Sequence, residues 1–201
     1  MANFTREGYG QVEPNQLSGI KTGQIYASLP LDTAVNVLQQ GEFMFYDVAG
    51  GKVTATPAYD NTIAEPYLVY QEVKLYEDYL RYKDFAMIKA GENYITQRPY
   101  TGELGGGWNT TSSTAVISDY RTDYFAPRLV KTNVGDIFTT NMVETGVEYA
   151  VGNVLYPVLN TTSNTLVLAK SGTAVSSLKF VVAKVYTMPD GQPGLKLQRI
   201  V

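Results

Sequence analysis

The sequence contains neither cysteine nor histidine. Without cysteine there is no disulfide, no thiolate zinc site and no cysteine nucleophile. Without histidine there is no imidazole metal ligand, no Ser-His-Asp catalysis and no histidine general base. Paired carboxylates and Ser-Lys chemistry are the acid–base routes left open. Charge is also scarce: charged side chains make up 17% of the 201 residues, and 16 basic against 19 acidic groups leave a net charge of −3. No segment carries a basic run, so nucleic-acid binding through phosphate neutralisation is not expected. No apolar run approaches the ~20 residues that span a bilayer. The opening residues, Met1 to Gly8, lack the charged-then-apolar pattern of a signal peptide. Synthesis in the cytoplasm and no membrane partner are the resulting expectations.

What is present has the character of a β-protein. Hydrophobic residues reach 44%, enough for a chain of this length to bury a core without staples. Tyr, Thr, Asn, Val and Gly are abundant, as in many extracellular β-proteins. Residues 1–22, rich in Gly, Gln and Asn, read as an extended N-terminal arm of the kind that crosses a neighbouring subunit. A disordered terminus has the same composition.

Strand signals begin at Gln24–Leu29. Phe43–Val48 and Lys52–Thr56, separated by Ala49-Gly50-Gly51, read as a hairpin, because the glycines supply the positive φ of a tight turn. Residues 67–75 are aromatic and β-branched and are assigned as a strand. Val69, Val73, Tyr76 and Leu80 also fall at helical spacing, so a helix over 67–83 is the competing assignment. Further strands are expected at 85–89, 114–118, 128–132, 136–141, 154–159, 165–169, 179–187 and 195–200. Turns at Gly135-Asp136, Gly152-Asn153, Thr162-Ser163-Asn164 and Ser171-Gly172 divide them. Many short strands at this spacing predict an all-β fold of β-barrel or β-sandwich (jelly-roll-like) modules. The Trp108 loop and Asp119–Asp123 place a boundary near residue 120, giving a first module over 23–120 and a second over 121–201. A single continuous β domain is the alternative.

Three groups of residues raise the question of chemistry. Glu103, Asp119 and Asp123 lie near Trp108, and a glycoside hydrolase needs two carboxylates ~5–10 Å apart beside aromatic platforms. Surface carboxylates are ordinarily just solvated, and no catalytic residue is expected. Asp47, Asp60 and Asp136 sit beside turns, where Asp commonly bonds its own backbone. No stretch has the alternating acidic residues of an EF-hand, so no metal ligand is assigned. Gly105-Gly106-Gly107 lacks a phosphate-loop lysine and reads as a loop, with no cofactor implied. Asn3, Asn109 and Asn160 head glycosylation acceptor triplets that are expected to go unused in the cytoplasm.

The most distinctive feature is 16 tyrosines, with Tyr67, Tyr70, Tyr76, Tyr79 and Tyr82 close together. Tyr offers amphipathic contact area at low entropic cost, which suits interfaces and sugar binding, and β-proteins also place it on half-exposed faces. The residues assigned to partner contact are Phe4, Tyr9, Tyr76, Tyr79 and Trp108, the last as an apolar anchor in its Gly-rich loop.

Two stretches carry a family resemblance: Tyr82–Glu92 (YKDFAMIKAGE), and Val134–Asn141 (VGDIFTTN) followed by Gly152–Pro157 (GNVLYP). Over roughly residues 65–200 the chain resembles the capsid-associated β-proteins of tailed phages known as decoration, cement or minor head proteins. The resemblance implies β-barrel or sandwich modules, a terminal arm, no cofactor, and binding to the major capsid protein on the outside of the virion. A homo-oligomer, guessed as a closed trimer, is the expectation for a protein that binds a symmetric lattice. Such a protein is made in the host cytoplasm and works outside after lysis. A carbohydrate- or receptor-binding module of a fibre or tail is the alternative.

Overall fold

The computed structural model describes residues 3–6, 9–35, 37–60, 64–70, 87–89, 127–189 and 191–201, with the backbone alone for 87–89. In chain order the elements are β1 (Val12–Gln16), α1 (Ser18–Lys21), β2 (Ile25–Tyr26), β3 (Val37–Gln39), β4 (Phe43–Asp47), β5 (Lys52–Thr54), β6 (Tyr67–Val69) and β7 (Met87–Lys89). They continue with β8 (Leu129–Val130), β9 (Ile137–Thr140), β10 (Val154–Asn160), β11 (Thr165–Ala169), β12 (Phe180–Thr187) and β13 (Pro193–Arg199). The fold is all-β, as expected, and its main sheet curls into an antiparallel half-barrel. The order is β1-β9-β13-β12-β10-β11-β4-β6-β8-β2, with β5 paired to β4 beside this path; β3 and β7 make a separate two-stranded ribbon.

The curl follows from which strand faces are apolar. On β13, Leu195 and Leu197 are buried while Lys196 and Gln198 are half-exposed, the period-2 pattern of a sheet with one wet face. On β4, Phe43, Met44 and Phe45 are all buried, so this central strand is covered on both faces. The concave side closes over Phe43, Phe138 and Phe180, from β4, β9 and β12. Their ring centroids lie 5.3–6.1 Å apart with edge-on or tilted planes, the favoured geometry of aromatic contact.

β1 and β2 occupy opposite ends of the sheet, yet only residues 17–24 join them. In the same way β8, next to β2, runs into β9, next to β1, through residues 131–136. Both connections therefore bridge the open side of the half-barrel. They are bonded to each other: Asp136 accepts from the Ser18 backbone N–H (3.1 Å), the Ser18 hydroxyl (3.0 Å) and the Asn133 N–H (2.8 Å). The Asn133 amide donates to Ser18 Oγ and Gln24 Oε1, and the Lys131 N–H to the Gln24 carbonyl.

Residues 1–22 and the strands on either side of residue 120 can be followed among the described residues. The segment expected as an arm is built into the body of its own chain. Val12, Glu13 and Gln16 pair with Thr140, Thr139 and Ile137, Leu17 is buried, and α1 follows directly. The boundary placed near residue 120 lies outside the described residues, but strands from both sides of it alternate in one sheet around one hydrophobic core. The hairpin at 43–56 forms around Gly51 at φ 67°. Tyr67–Val69 is a strand; residues 71–83 and the strand expected at 114–118 lie outside the described residues.

Candidate functional site

The residues singled out from the sequence fall into different places. Phe4 is buried, its ring edge-on to Tyr149 at 5.7 Å, and its backbone pairs with Val147 and Gly146. It anchors the N-terminal segment to its own chain. Tyr9 is 49% exposed, while its carbonyl accepts from the Asn141 amide at 2.9 Å. Tyr76, Tyr79 and Trp108 lie outside the described residues, as do Tyr82, Glu103, Asp119, Asp123 and Gly105–Gly107.

The carboxylates with defined surroundings serve the architecture. Asp47 is fully buried and accepts the Gly50 and Ala58 N–H groups at 2.9 and 2.8 Å, closing the β4–β5 turn and the segment after it. Asp136 holds the bridge described above. Asp60 takes its place in the backbone through the Ala64 N–H bonded to its carbonyl. Glu42, which the sequence shows only as part of a Gly-acidic pair before a strand, is 1% exposed. Its Oε2 accepts the Gln39 N–H and its Oε1 the Thr165 hydroxyl, both at 2.7 Å. Burial pushes its carboxyl up to about 7, against the pull of these two donors and of Arg6. Arg199 is the matching buried cation: it donates to the Thr132 and Val201 carbonyls and to Glu65 Oε1 at 2.7 Å.

Strand pairing also makes an aromatic cluster that sequence proximity does not show. Tyr26 of β2 stacks on Tyr67 of β6 at 4.9 Å with planes 11° apart, and lies 5.1 Å from Tyr46 of β4. All three are half-buried, and the Tyr46 hydroxyl bonds Ser28. Burial first, then Tyr26, Glu65 and Tyr59, push the Tyr67 phenol up to about 12; Tyr59 itself is 41% exposed. Tyr70 packs against the core.

A second surface feature is a pair of equivalent turns. Asn133-Val134-Gly135-Asp136 and Ala150-Val151-Gly152-Asn153 each close with an i+3 N–H to i carbonyl bond, 3.0 and 3.1 Å. Each has its glycine at φ near 90° and so is a type II turn. Val134 and Val151 at the turn tips are each 68% exposed. The turns lead into β9 and β10, which flank the β13–β12 pair and run antiparallel to each other. Three strand spacings separate those strands, roughly 14 Å.

Comparison of the chain with protein-family models, curated proteins and solved structures found no match.

Proposed function

We propose that this chain is a structural protein of a tailed-phage particle that binds the outside of the capsid and bridges neighbouring major capsid subunits. The observation that carries a binding role is how its polar groups are used. Asp47, Asp136, Glu42 and Arg199 are all engaged in holding turns and connections, while the surface presents the tyrosine cluster and two valine-tipped turns. Apolar and aromatic side chains on rigid turns and strands suit protein contact, because little conformational freedom is lost when they dock. The phage assignment rests on the likeness of Tyr82–Glu92, and of Val134–Asn141 with Gly152–Pro157, to capsid-associated β-proteins. Many such contacts repeated over a lattice add through multivalency, and binding the assembled shell stabilises it by mass action.

The test is co-sedimentation with mature and unexpanded shells of the phage that carries this chain. Deleting residues 1–22 is a poor probe, because it also removes β1, Phe4 and Leu17 from the fold. Val134→Asp with Val151→Asp alters exposed turn tips instead, and Tyr26→Ala with Tyr67→Ala removes the half-buried tyrosine pair, its folding checked by thermal unfolding. Saturable binding to mature shells, weakened at least tenfold by one of these pairs, is expected. Wild-type protein that binds neither shell overturns the reading.

The stacked Tyr26–Tyr67 pair favours a second reading, a carbohydrate- or receptor-binding module of a fibre or tail, since aromatic faces stack on sugar rings. Glycan binding abolished by Tyr67→Ala, without shell binding, would select it.

A further inference from the structure

Glu42 lies in the turn that joins the β3/β7 ribbon to β4 of the main sheet. Its two carboxyl oxygens reach in opposite directions. Oε2 accepts the N–H of Gln39, the last residue of β3, and Oε1 accepts the hydroxyl of Thr165, the first residue of β11. The same turn is the seat of the N-terminal segment: the Gly10 N–H donates to Gln39 Oε1 at 2.7 Å, and a side chain at Gly10 would overlap the Gln40 carbonyl oxygen at 2.5 Å. The backbone of the turn is bonded to β6 through Gly41 N–H to Val69 O and Val69 N–H to Glu42 O. One carboxyl thus lies where the ribbon, two strands of the main sheet and the N-terminal segment meet.

A buried acid responds to pH only if a proton can reach it. The Thr165 hydroxyl is fully buried, but it lies 2.7 Å from the Ser163 hydroxyl, which is partly exposed. The chain of hydroxyls works in either polarity. With Glu42 ionised, Ser163 donates to Thr165 and Thr165 to Glu42. With Glu42 protonated, its own O–H donates to Thr165 Oγ1 and Thr165 donates to Ser163. Both forms keep every hydroxyl bonded, and one proton crosses the relay between them.

We propose that Glu42 is a proton-operated clasp, closed in its neutral form, that sets how firmly the β3/β7 ribbon and the N-terminal segment are held to the main sheet. Among the described groups the charge whose field reaches Glu42 is Arg6 of the N-terminal segment, whose Nη1 lies 2.9 Å from Met142 Sδ. Thr165 and Ser163 on the β11 side, Gln39 on β3 and Val69 on β6 present neutral groups. Arg6 favours the ionised form, and burial outweighs it. In an opened turn the carboxyl is hydrated and returns toward its ordinary value of 4.5. The closed state therefore binds the proton more tightly. Its advantage is full below 4.5, declines as pH rises, and is gone above about 7.

The experiment has two parts on the full chain. Carbon-13 NMR of the Glu42 carboxyl reads its titration directly; a midpoint near 7 is expected, and one near 4.5 overturns the proposal. Amide exchange at Gln39, Gly41 and Val69, corrected for the intrinsic pH dependence, reads the clasp. Protection should fall more than about tenfold between pH 5 and pH 8, with a ceiling of about 70-fold over that interval set by a rise from 4.5 to about 7. Glu42→Gln, a permanently neutral replacement, should keep the same protection at both pH values. Equal pH dependence in wild type and variant, or none in wild type, overturns the proposal.

Discussion

Asp136 and Ser18 are 118 positions apart in sequence and meet through two hydrogen bonds, one from the Ser18 backbone and one from its hydroxyl. That contact fixes the start of a four-residue helix that has no side-chain cap from its own preceding residue, Leu17. A helix this short does not hold itself together. It exists because the loop before β9 supplies the acceptor.

Removing that acceptor should be expensive in stability. Asp136→Ala leaves the Ser18 N–H, the Ser18 hydroxyl and the Asn133 N–H without their partner at a buried site. Hydrogen bonds to charged groups contribute about 1.5–3 kcal/mol each and are not additive, so a loss of about 2–4 kcal/mol is expected. Urea denaturation should show a lower midpoint with an unchanged slope. A change under 0.5 kcal/mol, the range of ordinary surface substitutions, would mean the bridge carries no strain-bearing role.

Two glycines of nearly equal backbone angle should respond differently to alanine. Gly41 and Gly152 have φ of 88° and 89°. A Cβ at Gly152 meets nothing within 4 Å, so only the left-handed backbone penalty of about 1–2 kcal/mol applies. A Cβ at Gly41 would overlap Thr140 Oγ1 and lie 3.0 Å from the Gln11 carbonyl oxygen. Gly41→Ala should therefore be the worse variant by at least about 1 kcal/mol, the low end of overpacking costs. Thermal unfolding of the two proteins side by side gives the comparison, and equal losses would contradict the crowding seen at Gly41.

The tyrosine cluster should appear in an alkaline titration. The Tyr67 phenol is raised from 10.0 to about 12, chiefly by burial. A raised phenol is held neutral by the folded state, so its contribution to stability is complete below pH 10 and is lost as pH rises through 12. Phenolate absorbance should show a late-ionising tyrosine that Tyr67→Phe removes. If the variant and wild-type curves coincide, the ring is more hydrated than its packing on Tyr26 implies.

Much of the sheet was legible because local rules and the fold agree. Gly135 and Gly152 mark real type II turns, and β4, β9, β10, β11, β12 and β13 all fall within or close to the expected strands. The failures have identifiable causes. β1, Val12-Glu13-Pro14-Asn15-Gln16, has one strongly apolar residue and a proline, which is tolerated because the strand lies at a sheet edge. Nothing in those five residues reveals that Thr139 and Thr140 will pair with them. β3 is short and joins β7, not the main sheet, so no alternation announces it. In sequence the tyrosines cluster from Tyr67 onward, yet Tyr67 meets Tyr26 and Tyr46, which only the β4-β6-β8-β2 pairing brings close. Glu42 stood out only as part of a Gly-acidic pair before a strand, because nothing in the local sequence shows that the Thr165 hydroxyl and the Gln39 N–H will meet it.

The placement of β1 at the far edge from β2 also orders events in time. On the ribosome β1 emerges long before β9, its partner, and Phe4 emerges long before Val147 and Tyr149. During translation β1 and Phe4 lack their partners, and such long-range pairings form slowly even after release. The portion of the chain made first is thus among the last to be fixed. Until then its apolar side chains are open to whatever else the cell contains.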